Sequence, residues 1–201
     1  MGSFCHPASF LKRNKLKIES FPFDWTFSSV YIVGHCLETN FSVFLDKSHY
    51  VTLPNGKCGH NFYHGKMFNH HNPLTNADDY DYFIRCIDRF YKVLASPEKK
   101  LFIMMFGNME NIDDKKKNSI IEFNNKLKIY SENYILLAIL HLSEKEINYH
   151  TFTTVDNIDF LELHTVSKTT GVRFVDEADN IYLDDVIKNK YQFDIVSSNN
   201  I

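Results

Sequence analysis

The sequence predicts an α/β fold, in which a central and mostly parallel sheet is flanked by helices in three layers, with added β-hairpins. Two apolar runs, at residues 100–106 and 134–140, support this prediction, because strands buried on both faces of a parallel sheet are apolar along their length. Between them, residues 115–130 repeat apolar side chains at helical spacing. The order strand, helix, strand is typical of a βαβ unit.

Two hairpins are expected beside this unit. The first joins residues 50–53 to residues 61–68 around a Pro-Asn-Gly sequence, which favours a tight turn. The second joins residues 149–155 to residues 159–166, where polar and apolar side chains alternate. A short last strand is expected at residues 171–175.

Polar caps and apolar spacing predict the helices. Pro7 suits the first turn of a helix, so a short helix is expected to begin beside Cys5 and to end among basic residues. A second helix is expected over residues 30–37 and a long amphipathic helix over residues 79–95. A final helix is predicted to end near residue 191.

Composition limits the classes of protein to which the chain can belong. With 201 residues, of which 44% are hydrophobic, the chain predicts a single α/β domain over residues 1–201, with a frayed tail at residues 196–201. The net charge of −3 gives no electrostatic basis for binding nucleic acid or an anionic membrane. We see no signal peptide and no apolar run of the ~20 residues that a membrane span needs. Four scattered cysteines without a C-x-x-C pair are typical of reduced thiols, so a cytoplasmic location is expected.

The first candidate for chemistry is Cys5, in the run G-S-F-C-H-P-A at residues 2–8. A thiol at the start of a helix meets the positive end of the helix dipole, which lowers its pKa. The amides of Gly2 and Ser3 are placed to donate to a developing oxyanion. The alternative is that Cys5 is a small buried hydrophobic residue.

A cysteine nucleophile needs a base and usually a third group that orients the base. His70 and His71 follow a predicted strand in a polar turn, where catalytic side chains concentrate, and His71 is preferred over His70. Asp24 lies between Phe23 and Trp25, so its carboxylate is drawn toward the core and needs a partner. It is the candidate orienting group, although a structural role, as a helix cap or in a pair with Arg85 or Arg89, is favoured.

Other kinds of site find less support. Cys58, His60 and His64 are zinc-type ligands, but their spacing fits no closed tetrahedral pattern. The sequence has no phosphate-binding loop, no dinucleotide-binding turn and no G-x-S-x-G motif. We therefore expect no metal and no cofactor.

Residues 2–13 follow the pattern G-S-x-C-x-x-A-x-x-L-K-R, and residues 20–25 follow S-x-P-F-D-W. These motifs resemble the putative papain-like cysteine peptidase family, closely over the first half of the chain and loosely over the second. Further similar pieces are Asn40-Phe41 with Phe44-Leu45, Phe68-x-His70-His71, Arg85 with Arg89-Phe90, and residues 100–106. The family has an apolar strand leading into the G-S-x-C turn, and no such strand precedes Gly2 in this sequence.

The resemblance implies a cysteine peptidase that cleaves an amide or related acyl bond of a protein or peptide with a Cys-His pair. It also points to a histidine at 70 or 71 as the base. One alternative is an esterase-like α/β hydrolase that uses the same turn. The other is a catalytically inactive binding or structural module, such as a viral one, in which Cys5 only packs. The sequence leaves the oligomeric state open.

Overall fold

A computed structural model describes residues 1–193, so the tail predicted at residues 196–201 lies outside the described residues. In chain order its elements are α1 (His6–Arg13), α2 (Val30–Glu38), α3 (Ser42–Leu45), a 3-10 turn (Lys47–His49), β1 (Tyr50–Thr52), β2 (Cys58–His60), β3 (His64–Phe68), α4 (Ala77–Ala95), β4 (Lys100–Phe106), α5 (Asp114–Leu127), β5 (Tyr134–Leu142), β6 (Tyr149–Val155), β7 (Ile158–His164) and α6 (Glu177–Lys190).

The main sheet has the strand order β4-β5-β7-β6. Strands β4, β5 and β7 run parallel, and β6 runs antiparallel to β7. The α/β class, the βαβ unit and the second hairpin are therefore confirmed. The turn of that hairpin contains Asp156 in the left-handed region, with φ of 56°, which aspartate tolerates better than most residues.

Side chains of the sheet alternate between two apolar clusters. Phe102 and Met104 of β4 pack with residues of α2, α3, α4 and α5. Ile103 and Met105 pack with Phe10 of α1 and with residues of α6. Since both faces of the strands are buried, both odd and even positions have to be apolar, which explains the unbroken apolar runs.

The first three residues extend the main sheet beyond β4. Gly2 pairs in parallel with Met105, the Met1 amine donates to the carbonyl of Ile103 at 3.0 Å, and the Ser3 amide donates to the carbonyl of Met105 at 3.0 Å. Gly2 has φ of +115°, and a Cβ there would lie 2.2 Å from the Met105 carbonyl oxygen. Only glycine permits this approach. The chain then turns into α1, so Cys5 follows the carboxyl end of a strand-like segment.

The second sheet has one strand more than the sequence predicts. Its order is β1-β2-β3, and β2 pairs with both neighbours. Residues 61–63, which the sequence assigns to the start of the second strand, form a turn, and the additional strand β2 lies before them. The last strand predicted at 171–175 is wrong, because only a single bridge joins Thr169 and Phe174 and Gly171 has φ of +100°.

The predicted helices are present, with small shifts at their ends. Asn76 caps α4 by accepting from the Asp78 amide, so this helix begins at Ala77, before the predicted residue 79. Asp176 caps the last helix, α6, by accepting from the Ala178 amide, and the helix ends at Lys190, next to the predicted end. Within residues 1–193, no helix combines the length and the apolar character that crossing a bilayer requires.

The close approach at Gly2 predicts a large effect of a small side chain. We expect Gly2→Ala to lower the free energy of unfolding by about 2–4 kcal/mol, since the new Cβ meets backbone atoms that cannot move independently. Gly56→Ala is the matched control, because Gly56 also has positive φ, +76°, but nothing lies within 4 Å of the position that a Cβ would take there. Gly56→Ala should lower the free energy of unfolding by only about 1 kcal/mol. Equal losses in urea unfolding would show that strand pairing at Gly2 is unimportant.

Candidate active site

Cys5 is the N-cap residue of α1, and Pro7 occupies the first turn of that helix. Its side chain is buried, with 5% of the residue exposed, and its sulfur makes no hydrogen bond within the described part of the chain. Burial raises the pKa of the Cys5 thiol to about 11, and the smaller opposing effect of the nearby Met1 amine does not reverse this. The expected low pKa is therefore wrong, because burial disfavours the charged thiolate.

The amides of Gly2 and Ser3 are already engaged. The Gly2 amide donates to Ser28 Oγ at 3.1 Å, and the Ser3 amide donates to the Met105 carbonyl at 3.0 Å. Ser28 also donates through its hydroxyl to the Gly2 carbonyl at 2.9 Å. These bonds hold residues 2–6, which we call the Cys5 turn, against β4, so the two amides do not point at a free oxyanion position.

His71 has a carboxylate partner, and that partner is Asp79. Nδ1 of His71 lies 2.9 Å from Asp79 Oδ1, and the Asn72 amide donates to Asp79 Oδ2 at 2.7 Å. Although burial acts to raise it, these two hydrogen bonds hold the pKa of Asp79 below its usual value, so the carboxylate stays ionised. The imidazole stacks on Tyr82 with ring centres 4.2 Å apart.

His70 points to different neighbours from His71. Its exposed ring meets the edge of Trp25, with ring centres 5.8 Å apart. Burial of one side of the ring lowers the pKa of His70. Neither imidazole bonds Cys5 in residues 1–193, so the structure pairs the candidate base His71 with a carboxylate but shows no hydrogen bond between it and the candidate nucleophile.

Residues 24–28 connect the two halves of this candidate site. At one end of the segment, Ser28 bonds Gly2; next to it, the Phe27 amide donates to the Met67 carbonyl of β3 at 3.3 Å. Trp25 contacts His70. Residues 25–28, which begin at the last residue of the S-x-P-F-D-W motif, thus link the Cys5 turn to the turn that carries the two histidines.

Asp24 makes a structural ion pair. It pairs with Lys17 and accepts from the Phe21 amide at 2.8 Å, and the side chains of the pair are only 11% and 10% exposed. Asp24 bonds no histidine in the described residues, and its partner is Lys17, so the expected pairing with Arg85 or Arg89 is wrong. The carboxylate that contacts His71 is that of Asp79, which the sequence presents only as an acidic residue in the first turn of α4.

The two histidines of β2 and β3 bond to different backbone groups. His60 Nε2 donates to the Val43 carbonyl at 3.1 Å, and His64 Nδ1 accepts from the Lys66 amide at 3.1 Å. No group of three or more metal-ligating side chains converges in the part of the chain that the structure describes. A buried polar cluster that the sequence did not reveal lies at the carboxyl ends of the parallel strands, around His6 and His141.

The raised pKa predicts an unusual pH profile for Cys5. Alkylation of the native protein by iodoacetamide should rise about tenfold per pH unit between pH 7 and 9 without a plateau, because only the thiolate reacts. The same cysteine in urea should level off above pH ~9, near the ordinary thiol pKa of ~8.5. Peptide mapping by mass spectrometry gives both rates. A plateau near neutral pH in the native protein would contradict the burial argument.

The pairing of Asp24 predicts a loss of stability when its charge is removed. Asp24→Asn should lower the free energy of unfolding by about 3 kcal/mol, because Lys17 would remain buried without its partner. The matched control is Asp88→Asn, which breaks a pair with Lys92 whose side chains are 60% and 73% exposed. This exposed pair should contribute less than about 0.5 kcal/mol. Chemical denaturation distinguishes the two variants, and equal stability would place Asp24 outside the core.

Comparison with known proteins agrees with the resemblance over the N-terminal part of the chain. Residues 1–58 match the model of the family described as "Putative papain-like cysteine peptidase (DUF1796)". The match includes the Cys5 turn and Asp24 and ends before His70 and His71. No curated protein and no solved structure matches the chain. The predicted resemblance is thus confirmed for residues 1–58, where the chain is similar to this family.

Proposed function

We propose that this protein is a papain-like thiol hydrolase in which Cys5 is the nucleophile, His71 is the base and Asp79 orients the base. The observation that carries the proposal is the position of Cys5, in a tight turn between the strand-like Met1–Ser3 segment and α1. In an α/β sheet, ligands bind outside the carboxyl ends of the strands, which is where this turn lies. The family match covers the same turn.

The His71–Asp79 pair supports the proposal from the side of the base. A carboxylate that holds Nδ1 leaves Nε2 as the atom that takes a proton, as in other nucleophile–histidine–carboxylate sites. The side chain of His71 is 22% exposed, so the imidazole is accessible to solvent from one side. A protein or peptide amide is the proposed substrate.

The reaction follows from these roles. His71 takes the thiol proton of Cys5, and the sulfur attacks the acyl carbon. The C–N bond breaks, the nitrogen leaves with the proton from His71, and a thioester remains on Cys5. Water activated by His71 then cleaves the thioester, which releases the acid and restores the thiol. The amides of Phe4 and Cys5, which have no backbone partner in the described residues, replace those of Gly2 and Ser3 as oxyanion donors.

A second function is favoured by the burial of Cys5. A thiol with a pKa of about 11 is protonated at neutral pH and is a poor nucleophile. In a catalytically inactive binding or structural module, Cys5 would only fill the space beneath the turn. The enzyme requires a second arrangement in which Cys5 meets His71, whereas the module requires none.

Acylation by p-nitrophenyl acetate decides between these functions. For the enzyme, one acetyl group per chain should accumulate on Cys5, and Cys5→Ala should abolish both this adduct and the early burst of p-nitrophenol. Cys36→Ala is the matched control, since Cys36 is also buried and free but lies in the apolar core. The module predicts no selective acetylation of Cys5.

Asp79→Asn tests the orienting role separately. The acetylation rate should fall about 100-fold or more, with a changed pH profile, because the amide favours the other tautomer of His71. A rate that falls only in proportion to a loss of folded protein would assign Asp79 to structure alone.

A further inference from the structure

A buried polar cluster lies at the carboxyl ends of β4, β5 and β7. The amide of Asn108, after β4, donates to Nδ1 of His141 at 3.1 Å. The Asn108 side chain bonds both the amide and the carbonyl of Thr169, each at 2.9 Å. His6, the residue after Cys5, lies with Nδ1 2.9 Å from Thr169 Oγ1. The cluster therefore ties the Cys5 turn to a segment that follows β7.

That segment is residues 165–175, which we call the latch segment. Thr165 Oγ1 lies 2.8 Å from Nε2 of His141 and donates to the Ser167 carbonyl at 2.7 Å. Phe174 is fully buried, and its ring packs against both imidazoles. The ring centres lie 4.6 Å apart for His6 and 4.9 Å apart for His141. The two histidines thus hold both ends of the segment.

The bonds of His141 require its neutral form. Nδ1 accepts from the Asn108 amide, so the ring proton must lie on Nε2, which donates to Thr165. A second proton would place an N–H on Nδ1 against the Asn108 N–H and would break that bond. Burial lowers the pKa of His141 to about 4; Asp179 of α6 opposes this and His164 of β7 adds to it.

His6 resists protonation for a related reason. It is fully buried, and its Nε2 has no hydrogen-bond partner among the described residues. Burial lowers the pKa of His6 to about 3, helped by Arg13 of its own helix and by His141 of β5, and opposed by Asp184 of α6. A charge on this ring would have no solvent and no direct partner.

The latch segment also covers the neighbour of Cys5. A Cβ at Gly171 would lie 3.2 Å from the Phe4 ring, and a Cβ at Gly107 would lie 3.0 Å from the same ring and 2.5 Å from Thr169. Phe4 is therefore held between the end of β4 and the latch segment. Because Phe4 and His6 flank Cys5, both neighbours of the thiol depend on the position of the latch segment.

We propose that residues 165–175 are an acid-released latch, which closes the Cys5 turn while His6 and His141 are neutral and opens it when they take up protons. The regulatory meaning of this latch rests on the proposed function of Cys5, whereas its opening does not. The substrate site would then be formed at acidic pH, where the released turn allows Cys5 to leave its buried position.

The direction of the effect follows from linkage. A histidine whose pKa is lowered in the closed form stabilises that form above the ordinary pKa of ~6.5, and this stability is lost as the pH falls below it. Between pH 7 and pH 5, each such histidine raises the open fraction about 20-fold, and both together raise it about 400-fold.

Hydrogen–deuterium exchange of the whole protein at pH 7 and pH 5, corrected for the intrinsic pH dependence, tests the latch. We expect the open fraction measured at residues 165–175 to rise about 20- to 400-fold, while exchange in the centre of β5 remains unchanged. Labelling of Cys5 by 4,4′-dithiodipyridine, which reacts with thiols in acid, should rise in parallel. Uniform acceleration through the sheet would indicate global acid unfolding and overturn the proposal, as would no acceleration at all.

Variants keep the test independent of catalysis. His141→Gln removes the titration but retains a donor and an acceptor, so it should reduce the acid response of residues 165–175 by about 20-fold. His150→Gln is the control, because His150 of β6 is exposed. If His141→Gln fails to fold, His6→Asn provides the same readout. Acid release without any acetylation of Cys5 would disprove the proposed function and leave the latch intact.

Discussion

The contact between Gly2 and Met105 sets the position of the Cys5 turn, which carries one half of the candidate site. Without a side chain, Gly2 brings its backbone against β4, and the Ser3 amide and Ser28 hydroxyl complete the pairing. The chain can then turn into α1 directly at Cys5. A larger residue at position 2 would separate this segment from the sheet, and the thiol, His6 and Phe4 would lose their common support.

Burial governs the chemistry around this contact more than the helix dipole does. It raises the pKa of the Cys5 thiol and lowers the pKa of both His6 and His141, so all three groups are neutral in the closed arrangement. A neutral interior is the most stable state for groups that have few polar partners. The same desolvation that keeps the Cys5 thiol protonated therefore keeps the neighbouring histidines neutral.

The proposed base belongs to a different part of the chain from the proposed nucleophile. His71 and Asp79 are eight residues apart, between β3 and the first turn of α4, and residues 25–28 link the neighbouring His70 to the Cys5 turn. The family match ends at residue 58, before this pair. The Cys5 turn is thus supported by the family match and by its contacts with β4. The His71–Asp79 pair is supported only by its hydrogen-bond geometry.

The sequence by itself determined the elements whose physical causes are local. Apolar runs predicted β4 and β5, spacing and caps predicted α4, and the G-S-x-C motif indicated a turn at Cys5. Tertiary structure decided what depends on distant neighbours. It shortened a predicted strand to β3 and added β2 before it, buried Cys5, paired Asp24 with Lys17, and paired His71 with Asp79. Desolvation and pairing depend on which groups meet after folding, and periodicity and composition carry no information on those distances.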